Sequence, residues 1–163
     1  MEIPMRLIPV ILATSMMLCA APASAIPNMW TNNFAMGVTE YIITSPEKTV
    51  LNVSCTTNPD EEDNLQHSVY ITLPGGKGAN SHEEDKTITL VTGDSQYPVP
   101  SSLGWRGADN AWFSFIEALS QASKFDIYIN DDKVGSFSPS AENIRKELDG
   151  INECKDIRYQ EAQ

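Results

Sequence analysis

Apolar and polar residues alternate with a period of two through most of the chain, and this alternation predicts a β-rich domain. Residues 38–43 (VTEYII) and 48–55 (KTVLNVSC) are rich in β-branched and aromatic side chains. Ser45-Pro46-Glu47 between them is a turn signal, so the two runs read as a hairpin. In residues 68–73, Val69, Ile71 and Leu73 fall on one face by strict alternation, and the following Pro74-Gly75-Gly76-Lys77-Gly78 ends the run. Residues 87–91 (TITLV) form a fourth run, after which Gly93-Asp94-Ser95 turns the chain toward residues 97–100. Four strands joined by polar turns point to an antiparallel sheet. The clearest hairpin comes later: residues 125–129 (FDIYI) alternate, Asn130-Asp131-Asp132-Lys133 is turn chemistry, and residues 134–137 (VGSF) return as the partner.

Helical spacing is confined to the C-terminal third. Residues 111–115 (AWFSF) read as the end of a strand, and residues 116–122 (IEALSQA), with good helix formers, as a short helix. Ser138-Pro139 opens the last element, because a serine oxygen caps exposed amides and proline suits the first helical position. Ala141, Ile144, Leu148 and Ile151 recur at intervals of three and four, which predicts an amphipathic helix over residues 139–149 stopped by Gly150. Residues 26–37 lack periodicity and read as an irregular lead-in whose Trp30 and Phe34 pack onto the body. The fold class expected is α+β: an antiparallel sheet or sandwich, a short helix, a C-terminal amphipathic helix and one disulfide.

The N-terminal 25 residues do not fit that pattern. Arg6 precedes an apolar run over residues 7–18, and Ala23-Ser24-Ala25 places small residues at a cleavage site, the layout of a secretory signal. The apolar run is well short of the roughly 20 residues that cross a hydrocarbon core, so no membrane span is expected. Acylation at Cys19 is the alternative, disfavoured by the bulky Leu18 before it. Cleavage after Ala25 leaves a single secreted domain over residues 26–157 and a frayed tail over 158–163, in the periplasm or outside the cell.

Export changes the meaning of the cysteines. Removal of the signal discards Cys19 and leaves Cys55 and Cys154, which an oxidising compartment pairs as a disulfide. In the chain-entropy description, a loop of this length contributes about 4 to 5 kcal/mol. Charge narrows the partners: 11 Lys and Arg stand against 22 Asp and Glu, a formal net charge of −11. Nucleic acid and anionic membranes are disfavoured, and an electrostatically steered partner is basic.

Chemistry-bearing residues are few. His67 and His82 lie beside polar or acidic loop residues and read as solvated imidazoles; a hydrolase using either with a loop carboxylate is the enzymatic alternative. No nucleophile elbow, phosphate loop or metal-ligand spacing is present, and no cofactor is expected. The acidic runs Asp60, Glu61, Glu62, Asp63 and Glu83, Glu84, Asp85 lack EF-hand spacing and are candidates for contact with a basic partner. Residues 103–112 place Trp105 and Trp112 around Arg106 in a glycine-punctuated segment. Its two readings are a recognition surface through Trp105 and Arg106, and anchoring of the core.

A strand ending in a cysteine (Leu51-Asn52-Val53-Ser54-Cys55), an aromatic stretch leading to a helix (Phe113-Ser114-Phe115 to Leu119), a hairpin, and a helix ending near a second cysteine (Ile144 to Cys154) resemble in layout the small exported bacterial proteins of the invasion-associated locus B family. That resemblance implies a β-rich exported domain of the bacterial envelope and carries no catalytic residues across. The function expected is non-enzymatic binding, as in an immunity or inhibitor protein for a basic envelope enzyme. An accessory subunit of an envelope or secretion assembly is the other non-enzymatic alternative.

Overall fold

The computed structural model describes residues 25–154. The rest of the proposed signal, with Cys19, and the tail at 158–163 lie outside the described residues. Nine strands form two antiparallel sheets among the described residues. The first is a meander in chain order: β1 (Thr31–Ala35), β2 (Val38–Thr44), β3 (Val50–Thr56), β4 (Ser68–Thr72) and β5 (Gly78–Asn80). The second has the order β7-β6-β8-β9, from β6 (Ile88–Thr92), β7 (Ser95–Pro98), β8 (Phe125–Ile129) and β9 (Asp132–Phe137). Helix α1 (Arg106–Gln121) lies between β7 and β8 in the chain, α2 (Ala141–Glu147) follows β9, and a 3-10 turn at Ile151–Glu153 carries the chain to Cys154. This is the α+β architecture expected.

Cross-strand register explains the core. On one face of the first sheet Ile43, Leu51, Ile71 and Ala79 form a row, and Tyr41, Val53 and Val69 form the next. All are buried, and they join Ile88, Leu90, Phe125, Ile127 and Phe137 of the second sheet in a single cluster with both helices. Period-two burial of this kind places alternate residues on the face turned toward the core. Gly135 of β9 is required here, because a Cβ would stand 2.9 Å from the Phe137 ring and 3.3 Å from Thr49 Cβ. The close approach lets the Thr49 hydroxyl donate to the Val134 carbonyl at 2.6 Å, tying the β2–β3 turn to the second sheet.

Several expectations are corrected. The four early runs do not share a sheet: residues 87–91 leave the first sheet as β6 and pair with β8. The lead-in contains β1, an edge strand exposed along its whole length, joined to β2 through Met36 and Gly37 at φ 54° and 79°. A strand wetted on both faces has no alternation to reveal it. Trp30 is buried as expected, but Phe34 is exposed. Residues 111–115 are helical, not the end of a strand. Ala108, Trp112, Phe115, Ile116 and Leu119 recur at helical spacing and all are buried on α1, so tertiary packing overrides the β-propensity of the aromatic run. The C-terminal helix is shorter than residues 139–149, its cap is Ser140 rather than Ser138, accepting from the Asn143 amide at 3.2 Å, and Ala141 is exposed. Gly150 follows at φ 86°, a left-handed position that favours glycine.

Cys55, near the end of β3, and Cys154, after the 3-10 turn, form the expected disulfide, with Cα atoms 5.4 Å apart across a separation of 99 residues. Trp112 reinforces the junction by donating its indole N–H to the Cys154 carbonyl at 2.7 Å.

Candidate functional site

The acidic candidates divide by what their carboxylates do. Asp60, in the β3–β4 connection, accepts the amides of Glu62 at 2.9 Å and Asn64 at 2.8 Å through Oδ1, and the Gln66 amide at 2.8 Å through Oδ2. It organises its own loop, in the manner of an Asx turn, and leaves Glu61, Glu62 and Asp63 exposed. Glu83 is likewise engaged, accepting from the Asn80 amide at 2.8 Å and pairing with Lys86 at 2.8 Å. The hydrogen bond from Lys86 and that from the Asn80 amide hold its carboxyl below the usual glutamate value. Glu84 and Asp85 carry the exposed charge of this second loop.

The tryptophans separate into the two roles that the sequence left open. Trp112 is a core anchor, 1% exposed, stacked on His67 and packed at a tilt against Phe115. Trp105 is 60% exposed at the N-terminus of α1. Its ring lies over Gly107, where a Cβ would collide with it. Asp109 steadies this entry by accepting the Gly104 amide at 2.8 Å. Trp105 walls a groove of about 260 Å³ with Pro98, Pro100, Ser101, Ala108 and Ala111, a lining that is mainly apolar. Arg106 is exposed and does not line the groove.

One contact joins this groove to an acidic run. His82 places Nδ1 2.9 Å from the carbonyl of Ser101, a groove residue, and His82 leads directly into Glu83, Glu84 and Asp85. The arrangement is an exposed indole in an apolar, proline-walled groove with carboxylates on the neighbouring loop. An indole of this kind is the side chain most often found at the energetic centre of protein interfaces, and flanking carboxylates select a cationic counterpart. The 60–63 loop is not part of that lining.

His67 corrects an expectation. It is 3% exposed, not a solvated imidazole; its ring stacks on Trp112 with centroids 5.4 Å apart, and Nδ1 accepts the Thr56 amide at 3.0 Å. His82 is exposed as expected. Among the described residues no three His, Cys, Asp or Glu side chains converge as metal ligands, and no helix is long and apolar enough to cross a membrane. The prolines of the groove were missed at the sequence level, although Pro98 and Pro100 flanking Val99 are a visible signal for a rigid, exposed segment.

The YfjT family model matches residues 28–148, which span β1 to the end of α2. The chain belongs to the YfjT family. Two relatives from Escherichia coli (strain K12) share its length as well as its sequence. The uncharacterized protein YkfB is 44% identical over 138 residues, covering 85% of this chain and 89% of its own. The uncharacterized protein YfjT is 43% identical over 140 residues, covering 86% and 90%. No solved structure matches this YfjT-family chain.

Proposed function

We propose that this chain is a non-enzymatic binding protein of the periplasm or the extracellular space that docks a basic protein partner on Trp105 and the acidic loop beside it. The observation that carries the reading is the joining of the exposed Trp105 groove to the 83–85 loop through His82 and Ser101. The net charge of −11 steers a cationic partner toward the molecule, and the groove supplies a short-range apolar contact that charge alone lacks. The signal pattern and the Cys55–Cys154 disulfide support export. An immunity or inhibitor protein for a basic envelope enzyme fits this chemistry, because occupying such a partner needs a stable complementary surface and no turnover.

The test is capture from periplasmic extract by the immobilised mature protein across a salt titration. A basic protein retained at low salt by the wild type, released as salt rises and not retained by Trp105→Ala, supports the reading. Failure to retain any basic protein at low salt, or equal retention by Trp105→Ala, overturns it.

A further inference from the structure

The outer face of the second sheet carries a recess of about 500 Å³, within the range of about 300 to 1,000 Å³ that small-molecule sites occupy. Strand register builds it. Leu90 and Ile127 turn into the core, so Thr89, Val91 and Tyr128 turn away from it. Thr89 stands opposite Tyr128 on β8, and Val91 opposite Gln96 on β7, which puts the four side chains on one surface. All four line the recess, and it shares no lining residue with the Trp105 groove.

Two features distinguish this surface from an ordinary wet sheet face. The first is a bulge in the β8–β9 ladder beside Tyr128: Ile127 pairs with Gly135 but Tyr128 with Lys133, so Val134 has no residue opposite it. Bulges strengthen the local twist and re-aim side chains, and they are frequent beside functional sites. This one is anchored, since the Val134 carbonyl accepts the Thr49 hydroxyl. The second is a clasp between the entry to β6 and the β8–β9 turn. The Asn130 N–H donates to the Thr87 carbonyl at 2.7 Å, and Asn130 Oδ1 accepts the Thr87 N–H at 2.9 Å. Both residues line the recess; with Oδ1 committed, the Asn130 carboxamide is held in place and its Nδ2 remains to donate.

The lining selects a ligand by charge and by hydrogen-bond type. No Lys or Arg lines the recess, which disfavours phosphates and carboxylates on a molecule of net charge −11. Asp131 is the one carboxylate in the lining, and no metal-ligand group of three forms among the described residues. Thr87, Thr89, Gln96 and Asn130 offer neutral groups that donate and accept, the match for ligand hydroxyls, which also do both. Half-buried Tyr128 adds an aromatic ring beside them, with an apolar face and a polar tip. We propose that this recess binds a neutral saccharide, with the C–H face of a pyranose ring on Tyr128 and its hydroxyls on Thr89, Gln96, Asn130 and Asp131.

Amide chemical shifts of the mature, oxidised protein are to be followed while cellobiose, N,N′-diacetylchitobiose and, as a charged control, 1,5-diaminopentane are titrated in separately. Saturable shifts at Thr89, Tyr128 and Asn130 with at least one disaccharide, and none with the diamine, are expected. Tyr128→Ala removes the stacking ring and weakens binding by about tenfold. Gln96→Ala with Asp131→Ala changes two exposed side chains and provides the second variant, with a loss of about tenfold expected there as well. Trp105→Ala leaves saccharide binding unchanged, which separates this site from the partner groove. Linear, unsaturable shifts with both disaccharides, saturation by the diamine alone, or wild-type affinity in either folded variant overturns the proposal.

Discussion

The side-chain amide of Asn143 pairs with the backbone of Trp30 in both directions: Oδ1 accepts the Trp30 N–H at 2.7 Å, and Nδ2 donates to the Trp30 carbonyl at 3.0 Å. The residues are 113 positions apart, and both bonds are buried. Asn143 thus gives the entry to β1 the pair of hydrogen bonds that a neighbouring strand would give it. It also fixes α2 against Trp30, whose ring stacks on Phe125 with centroids 6.2 Å apart.

Removal of that amide leaves a buried N–H and a buried C=O without partners. Asn143→Ala is expected to lower unfolding free energy by about 2 to 4 kcal/mol, since each orphaned group costs about 1 to 3 kcal/mol and water reaches part of the gap. Asn143→Asp keeps an acceptor for the Trp30 N–H, but it places a carboxylate against the Trp30 carbonyl and is destabilising as well. Urea unfolding followed by tryptophan fluorescence measures both; a change within about 0.5 kcal/mol, the range of ordinary surface substitutions, contradicts the assignment.

The disulfide closes a separation of 99 residues, so reduction frees most of the domain in the unfolded state. Cys55→Ser with Cys154→Ser is expected to lose about 4 to 5 kcal/mol by the chain-entropy estimate. Trp112 donates to the Cys154 carbonyl, so its emission reports loosening of the same junction. Coincident unfolding of the oxidised protein and the double variant argues against the disulfide as a main support.

Tyr41 gives a pH dependence with a definite sign. Its proton is held more tightly in the folded protein than in the unfolded chain, through burial and then the charges of Glu153 and Asp149. The folded state therefore binds more protons in the window between the two values, and stability falls with rising pH there. This contribution is complete below the unfolded phenol value of about 10 and is lost as pH rises through the folded one. Unfolding free energies of the wild type and Tyr41→Phe, measured from neutral pH upward, are expected to show a steeper alkaline fall in the wild type. Parallel curves contradict the assignment.

Legibility in the sequence followed burial. Strands with one wet and one dry face, such as β2, β3, β4 and β8, are readable because alternation records their environment; β1, wet on both faces, leaves no such record. The α1 segment was misread where local preference and periodicity disagree. Trp112 and Phe115 favour strands, yet with Ala108, Ile116 and Leu119 they keep helical spacing, and packing follows the spacing. His67 shows a different limit: its chain neighbours are polar, but its ring enters the core by stacking on Trp112, 45 residues away in sequence. Of the candidate surface, Trp105 and the acidic loops were legible by residue type. Their connection through His82 and Ser101 depends on a contact between distant parts of the chain.

The central claim is that Trp105, with the Glu84 and Asp85 loop beside it, is a docking surface for a basic partner. The most direct measurement is the affinity of the purified captured protein for the wild type, Trp105→Ala and Glu84→Gln with Asp85→Asn, at low and high salt. Trp105→Ala is expected to weaken binding by about 2 kcal/mol, roughly thirtyfold, at both salt concentrations. The charge variant weakens it chiefly at low salt, where screening is least. Equal affinity of the wild type and Trp105→Ala would contradict the account.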